Sequence, residues 1–411
     1  MLTPPAGPGA CPHDGTTCLG WGDTSLVYED DGWQGTGGRT HALVLGVGKY
    51  AESRPRRGTP RKPFETLPGA ARAAHRFASY LRQEFREPEG RSLATLRLML
   101  SPLKRECADL RSPNHRPATM SEVTRALQDW ADDCNTNDQN LAILYIAGHG
   151  VALDKAVSMV FLADELELGS NYDGAINLSL VQENMGGCAA KDNIFVYDCC
   201  ALSGGDVPDV TGAAGRAINK FPPGGKGRAN LIAISAARVG TETFAMDERG
   251  TLLSWGLLGA HTDRMSEDAL LRIAGDIISD GGNKRFGITN ERLSEELSPK
   301  LKSLLSSVKR SDDGYEAAVA GLYKNIAIPD PTPEFEVVLR EVLADRTPPV
   351  KVVFQGVGAT QSVVVDDGFD GKEVRLPAGV YSPYVESTEG HRIYSDEQLH
   401  LVKRQEVAMP S

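Results

Sequence analysis

The sequence predicts an α/β fold in which a doubly wound, mostly parallel sheet is flanked by helices and followed by a small all-β, sandwich-like domain. Short, continuously apolar runs alternate with helical segments in the first part of the chain. Such runs are typical of strands buried on both faces of a parallel sheet, and their alternation with helices indicates right-handed β-α-β units. The last part contains β-branched runs separated by Gly, Pro and Asp, which predict antiparallel strands.

The elements are predicted in chain order from these patterns. The predicted strands are Ala42–Gly46, Leu96–Leu100, Leu141–Ile146, Ile194–Tyr197 and Leu231–Ser235. The predicted helices are Gly69–Phe85, a segment that starts with a capping box at Thr119 and Glu122, and the segments Ser266–Ser279 and Asn290–Ser307.

The length of 411 residues exceeds the usual size of a single core. We expect a flexible lead-in over residues 1–38, a main domain over 39–328 and a β domain over 335–411.

The net charge of -11 argues against nucleic acid as the main partner. The seven scattered cysteines do not form a disulfide pattern, and neither a secretory signal nor a membrane-spanning run is evident. These features favour a cytoplasmic protein that does not bind membranes.

A histidine between two glycines ends the third predicted strand, in the segment LAILYIAGHG. Functional groups gather at the carboxyl ends of strands in such sheets, and Gly148 and Gly150 allow a bound peptide to approach the backbone closely. Taken alone, His149 fits a solvent-facing turn equally well.

Two adjacent cysteines end the fourth predicted strand, in the segment IFVYDCCALSGG. Taken alone, Cys199 and Cys200 also fit inert core positions, and zinc is not indicated because no C-x-x-C or H-x-x-x-H partner accompanies them. The two motifs together are more specific, because the ends of parallel strands meet at one edge. There an imidazole can activate a thiol, which is otherwise mostly protonated at neutral pH.

These motifs resemble those of the caspase and metacaspase family of cysteine peptidases, in a divergent, prokaryotic-looking form. The family carries a strand that ends S/A-G-H-G and a strand that ends D-x-C before a turn of small residues. His149 lies 51 positions before Cys200, close to the caspase spacing of about 50 residues. The resemblance runs from about His41 to Ala260 and includes GVGKY, LPGAARAA, ANLIAISAARVG and TFAMDERGTLLSWGLLGAH.

The resemblance implies a caspase-like fold and a cysteine endopeptidase that needs no cofactor, although calcium stimulation, known in some metacaspases, stays open. By position, Cys200 is the nucleophile, His149 the acid and base, and the amides of Gly150 and Cys200 the oxyanion hole. Asp198 takes the place of a carboxylate that binds a substrate Arg or Lys, and Ser235 ends the next strand, where it can line the specificity pocket. For Asp198, the alternative is a carboxylate at the end of a strand that only caps local amides. For Ser235, the alternative is a strand residue with no role in substrate binding.

Two departures from the family pattern affect these assignments. Two residues separate Cys200 from Ser203 where relatives commonly have one, which makes Cys199 an alternative nucleophile. Ala73 stands where the family carries an acidic residue, so the preference for basic residues depends more heavily on Asp198.

The loop over about 205–230 corresponds to the caspase linker between subunits, and we expect processing there at a basic residue. The basic residues of this loop are Arg216, Lys220, Lys226 and Arg228, and further candidate sites are SRPRRGTPRKP and Lys309–Arg310. The alternative is that all three are solvated loops.

The expected partners are protein substrates and an upstream activating protease or regulator. Bacterial relatives often act in defence or programmed death. The alternatives are an inactive caspase-like scaffold and a flavodoxin-like nucleotide or flavin binder, although the latter lacks a Gly-rich phosphate loop.

Overall fold

A computed structural model gives the fold of the chain. It describes residues 25–30, 37–50, 66–107, 110, 116–152, 158–161, 174–200, 202–203, 229–238, 242–246, 249–260, 265–280, 283–310, 315–321, 325–340, 350–356, 360–365, 372–395 and 398–408.

Across these residues, the main sheet has seven strands. In sheet order they are β1 (Leu26–Glu29), β3 (Leu93–Ser101), β2 (Thr40–Val47), β4 (Leu141–Gly148), β8 (Asp192–Cys199), β10 (Asn230–Ser235) and β15 (Ala318–Gly321). The inner strands are parallel, and β1 and β15 add antiparallel edges. The predicted strands and their mostly parallel arrangement are confirmed. β1 lies within the first 38 residues, where no ordered element was predicted.

Helices cover both faces of the main sheet. One face carries α1 (Ala70–Gln83) and α4 (Leu252–Leu258), and Phe77 of α1 stacks on Tyr145 of β4 with 4.4 Å between ring centroids. The other face carries α2 (Met120–Cys134) and α3 (Leu178–Met185), and here Trp130 shares a core with Leu45 and Leu144. Successive strand residues point to opposite faces, so Tyr145 packs against the layer of α1 and Leu144 against the layer of α2. The sheet is doubly wound, as predicted.

Short strands extend beyond the main sheet. A small sheet orders β7 (Ala175–Asn177), β6 (Ser158–Phe161), β5 (Gly150–Ala152) and β9 (Leu202–Ser203), and β11 (Ala245–Met246) pairs with β12 (Gly250–Thr251). β5 follows β4 directly, and β9 follows β8, so both begin at the edge where the predicted site lies.

Two local predictions are wrong. The capping box before α2 does not form within the described residues, because the Glu122 carboxylate pairs with Arg116 and Arg125 instead. The segment Ser266–Ser279 contains only the short helix α5 (Leu270–Ile273) and then enters β13 (Gly275–Asp280), which pairs with β14 (Asn283–Thr289). Gly275 and the β-branched Ile277 and Ile278 favour a strand over a helix, in agreement with the pairing to β14. The helix α6 (Asn290–Ser307) forms as predicted.

The chain folds into two compact units. The first comprises Met1–Glu84, Gly90–Leu270 and Ser294–Lys324, and the second Phe85–Glu89, Leu271–Leu293 and Asn325–Ser411. The hairpin β13–β14 therefore groups with the second unit, whereas the sequence analysis placed it in the main domain.

The second unit is rich in β-structure. β13, β14 and β16 (Asn325–Ala327) form one sheet, and β20 (Lys372–Pro377), β17 (Glu334–Arg340) and β24 (Gln405–Ala408) another. A third sheet orders β19 (Thr360–Val365), β18 (Val350–Gly356), β21 (Gly379–Ser387) and β22 (Arg392–Tyr394), with β23 (Leu399–Leu401) also on β21. Val337 and Leu376 of one sheet share a buried core with Val352 and Phe354 of the other, which is a sandwich-like arrangement. In the described part of the chain, no helix is both long and apolar enough to span a membrane.

Candidate active site

Two parallel strands bring His149 and Cys200 side by side at the carboxyl edge of the main sheet. The strand pairs that flank them are Gly148 with Cys199, in β4 and β8, and Val151 with Leu202, in β5 and β9. The same register therefore holds before and after the two candidate residues. Neighbouring strands lie about 4.8 Å apart, so the side chains of His149 and Cys200 start from adjacent backbone segments.

The Cys200 thiol contacts the backbone of Thr243, which lies in the chain segment after β10. The Thr243 N–H donates to Sγ at 3.4 Å, and the thiol donates to the Thr243 carbonyl oxygen at 3.7 Å. Burial raises the pKa of Cys200, the Thr243 N–H opposes this rise, and the carboxylates of Glu242 and Asp198 add to it. The resting thiol is therefore protonated at neutral pH and needs a base before it can act as a nucleophile.

Cys199, the alternative nucleophile, lies in a different environment. Its side chain is buried in the core between the sheet and helices α2 and α3, whereas Cys200 is only partly buried. Burial raises the pKa of Cys199 far above its ordinary value, and the neighbouring Cys200 and Asp198 raise it further. A buried thiol of this kind is inert, so the geometry favours Cys200 as the nucleophile.

The backbone at Gly150 passes close to the turn after β8. A Cβ atom at this position would lie 2.6 Å from the Cys200 carbonyl oxygen and 2.9 Å from the Cys199 Sγ. Only glycine permits this approach without a shift of the backbone. The backbone at Gly150 and the turn at Cys200 are therefore in close contact, and the role of their amides as oxyanion donors stays a prediction.

Asp198 is a buried carboxylate on the face of the sheet that carries α1 and α4. Its Oδ2 accepts a hydrogen bond of 2.5 Å from the Tyr145 hydroxyl and another from the hydroxyl of Thr251, the residue that caps α4. Its Oδ1 has no hydrogen-bond partner among the described residues. Burial raises the pKa of Asp198 to about 6. With a pKa of about 6 the carboxylate is mostly ionised at neutral pH, and its Oδ1, although buried, faces no hydrogen-bond donor among the described residues.

Ser235 is not brought to Asp198. It pairs with Tyr197 in the ladder between β8 and β10, and residues that pair across a ladder point to the same face of a sheet. Ser235 therefore shares the face of Tyr197, opposite that of Asp198. Its role in substrate binding stays a prediction.

A comparison with family models identifies the fold family. The caspase-domain model matches residues 39–274, which is more than half of the chain. The chain belongs to the caspase-domain family of peptidases. No curated protein matches the chain.

Family membership confirms the predicted caspase-like α/β fold and supports a cysteine-peptidase type of function in general terms. The matched span begins at β2 and ends before β13, so it contains both His149 and Cys200. Of the predicted processing sites, residues 53–63 of the caspase domain and the linker residues 204–228 lie outside the described residues. Among the described residues, no cluster of three or more His, Cys, Asp or Glu side chains is arranged to hold a metal ion.

Two buried residues of the caspase domain were not predicted, and one of them, Tyr50, contacts His149. The hydroxyl of Tyr50, in the GVGKY segment, accepts a hydrogen bond from the backbone N–H of His149. The buried Glu106 carboxylate accepts from the N–H groups of Gly69 and Leu103, both at 2.8 Å. It therefore joins the segments after β2 and β3 near the position where the family acid was expected. The placement of Tyr50 just after a strand was the available signal, whereas nothing in the local sequence marks Glu106.

Proposed function

We propose that this chain is a cysteine endopeptidase that cleaves proteins after Arg or Lys, with Cys200 as the nucleophile and His149 as the acid and base. The shared register around His149 and Cys200 carries this proposal, because it sets an imidazole and a partly buried thiol on adjacent strands. Neither group alone is specific. Their juxtaposition at the edge where such sheets carry their functional sites supports the assignment.

The first chemical step forms a thioester. His149 takes the proton of the Cys200 thiol, which stays protonated at neutral pH without a base because its pKa is raised. The thiolate attacks the carbonyl carbon of the scissile peptide, and the amides of Gly150 and Cys200 donate to the oxyanion. His149 then returns the proton to the leaving nitrogen, the C–N bond breaks, and the amine product departs.

The second step hydrolyses the thioester. His149 takes a proton from a water molecule, and the resulting hydroxide attacks the acyl carbon. The C–S bond breaks, Cys200 regains a proton, and the carboxylate product is released. Both steps use the same pair of residues, so loss of either one stops turnover.

The charge around the nucleophile supports a basic substrate residue. The ionised Asp198 has an oxygen without a hydrogen-bond partner in the described structure, and the exposed Glu242 lies near enough to raise the pKa of Cys200. A guanidinium binds a carboxylate through charge-assisted hydrogen bonds, whereas an acidic side chain is repelled.

A panel of fluorogenic peptides that differ only in an Arg, Lys or Asp before the scissile bond tests this function. We expect kcat/KM for Arg and Lys to exceed that for Asp by at least about 10²-fold, with no cleavage by Cys200→Ala. Cleavage after Asp alone would contradict the role of Asp198. A wild-type chain that is folded and cleaved in the linker, yet cleaves no peptide or protein, would favour the alternative of an inactive scaffold.

We also propose that the linker over about 205–230 is cleaved at a basic residue during activation. The candidate processing site at Lys309–Arg310 is less accessible to a protease, because the Arg310 guanidinium packs over the Phe244 ring at 4.9 Å. A cytoplasmic location and a role in bacterial defence or cell death stay predictions.

Joint replacement of Arg216, Lys220, Lys226 and Arg228 by Gln tests the processing step. We expect the variant to remain a single chain and to show lower activity, as followed by gel electrophoresis and N-terminal sequencing of the products. The same replacement of Arg54, Arg56 and Arg57 is the matched control and should leave processing intact. Unchanged activation of the linker variant would contradict the proposal.

A further inference from the structure

Tyr50 lies behind the predicted catalytic histidine. It follows the end of β2, the strand that pairs with β4, and its side chain is only 4% exposed. Its hydroxyl accepts a hydrogen bond of 2.7 Å from the backbone N–H of His149 and donates one of 3.3 Å to the carbonyl of Val47. The hydroxyl therefore connects the end of β2 to the residue that follows β4.

The Tyr50 ring also packs against the imidazole. The two ring centroids lie 5.1 Å apart, with an angle of 39° between the ring planes. A Cβ atom at Gly148 would lie 3.2 Å from the Tyr50 hydroxyl, closer than most side chains tolerate. The glycine before His149 thus makes room for Tyr50, which gives this part of the A-G-H-G motif a physical reason.

We propose that Tyr50 is a positioning residue, which fixes the backbone of His149 through its hydroxyl and the imidazole orientation through its ring. This inference rests on the proposed function. Burial raises the pKa of Tyr50, so the phenol stays protonated and keeps its hydrogen bond to Val47 throughout the working pH range. Small displacements of a catalytic group can reduce a rate by about 10²-fold, so the effect of losing this support should be measurable.

The test compares Tyr50→Phe, which removes only the hydroxyl, with Tyr50→Leu, which also removes the ring. The matched control is Tyr197→Phe, because Tyr197 is another buried tyrosine near the site and its hydroxyl has no hydrogen-bond partner among the described residues. We expect kcat to fall by about 10-fold in Tyr50→Phe and by about 10²-fold in Tyr50→Leu. KM should change little, since the Tyr50 side chain is almost entirely buried, and Tyr197→Phe should retain both constants.

A second readout does not depend on peptide cleavage. The rate of Cys200 alkylation by iodoacetamide, followed by peptide mass spectrometry between pH 5 and 9, reports how strongly His149 promotes the thiolate. We expect Tyr50→Phe to move this profile part of the way towards that of His149→Ala, while Tyr197→Phe follows the wild type. Melting temperatures within about 5 °C of the wild type would show that the variants are folded.

The outcomes separate the two proposals. If His149→Ala changes the alkylation profile and Tyr50→Phe does not, the role of Tyr50 is rejected and the catalytic pair stands. If His149→Ala leaves the profile unchanged, the catalytic pair itself is rejected, and the role of Tyr50 with it. Equal losses of kcat in Tyr50→Phe and Tyr197→Phe would indicate a general packing effect and would also overturn the inference.

Discussion

We expect replacement of Cys200 by Ala to abolish peptide cleavage, and the same replacement of Cys199 to leave kcat/KM near its wild-type value. We expect a loss of at least about 10³-fold for Cys200→Ala, because a thioester cannot form without the thiol. Cys199 packs in the core between the sheet and helices α2 and α3, so its loss removes a small buried side chain and no reacting group. Its replacement therefore lowers stability more than activity.

The measurement is kcat/KM on the best basic peptide, together with urea unfolding of each variant. The two variants make the same chemical change at neighbouring positions, so each is the control for the other. Activity that survives Cys200→Ala and disappears in Cys199→Ala would show that Cys199 is the nucleophile. It would contradict the assignment of Cys200 from the pairing of the strands.

We expect replacement of Asp198 by Asn to remove the proposed preference for basic substrates. We expect the ratio of kcat/KM for Arg over a neutral Gln peptide to fall by about 10²-fold, because the charge-assisted pair with the guanidinium is lost. The control is Asp192→Asn at the other end of β8, where the carboxylate is equally buried but already paired with Arg91 at 2.6 Å. We expect that variant to lose stability without a change in substrate preference.

Asp198 also makes the behaviour of the protein depend on pH. Its pKa is about 6 in the folded chain, above the ordinary value of about 3.9 in an unfolded one. The folded state therefore binds more protons at this carboxyl between about pH 4 and pH 6, and the stability that Asp198 contributes falls as the pH rises through this window. His41, whose pKa burial lowers to about 4, contributes stability that rises with pH over the same window, so the effect of Asp198 is read as the difference between the wild type and Asp198→Asn. This contribution of Asp198 to the free energy of unfolding is on the order of 3 kcal/mol, and its loss is complete by about pH 7. Asp198→Asn should remove this dependence.

Substrate binding should show the opposite trend. A basic side chain binds the ionised carboxylate, so KM for Arg peptides should rise as the pH falls below about 6, while KM for Gln peptides stays level. Two results would contradict the role of Asp198 in specificity. One is a substrate preference that Asp198→Asn retains, and the other is a pH-independent KM for Arg peptides. Asp198 would then serve only to hold Tyr145 and Thr251.

Much of the main sheet can be predicted from the sequence, because strands buried on both faces leave continuous apolar runs. The same reasoning places His149 and Cys200 at the ends of separate strands. It does not order those strands, and only the pairing of Gly148 with Cys199 makes the two residues neighbours. The choice between two chemically identical cysteines needs burial, which local sequence does not contain.

The features that the sequence analysis missed depend on contacts between distant segments. Tyr50 and His149 are far apart in the chain, and the link from Thr251 to Asp198 also joins separate segments. The segment that starts at Gly275 pairs with β14 as a strand, and the extent of this pairing is set by residues that follow it in the chain. In each case a tertiary partner decides the outcome, and a single segment carries no record of that partner.

The most direct test of the central claim is covalent labelling of the full chain by a peptidyl chloromethyl ketone that ends in Arg. The reagent alkylates a thiol fastest where the site binds its Arg side chain and generates a thiolate. Intact mass and peptide mapping should show one adduct, on Cys200, which His149→Ala and an excess of Arg peptide substrate both suppress. An adduct on Cys199, or labelling that His149→Ala leaves unchanged, would contradict a peptidase built on His149 and Cys200.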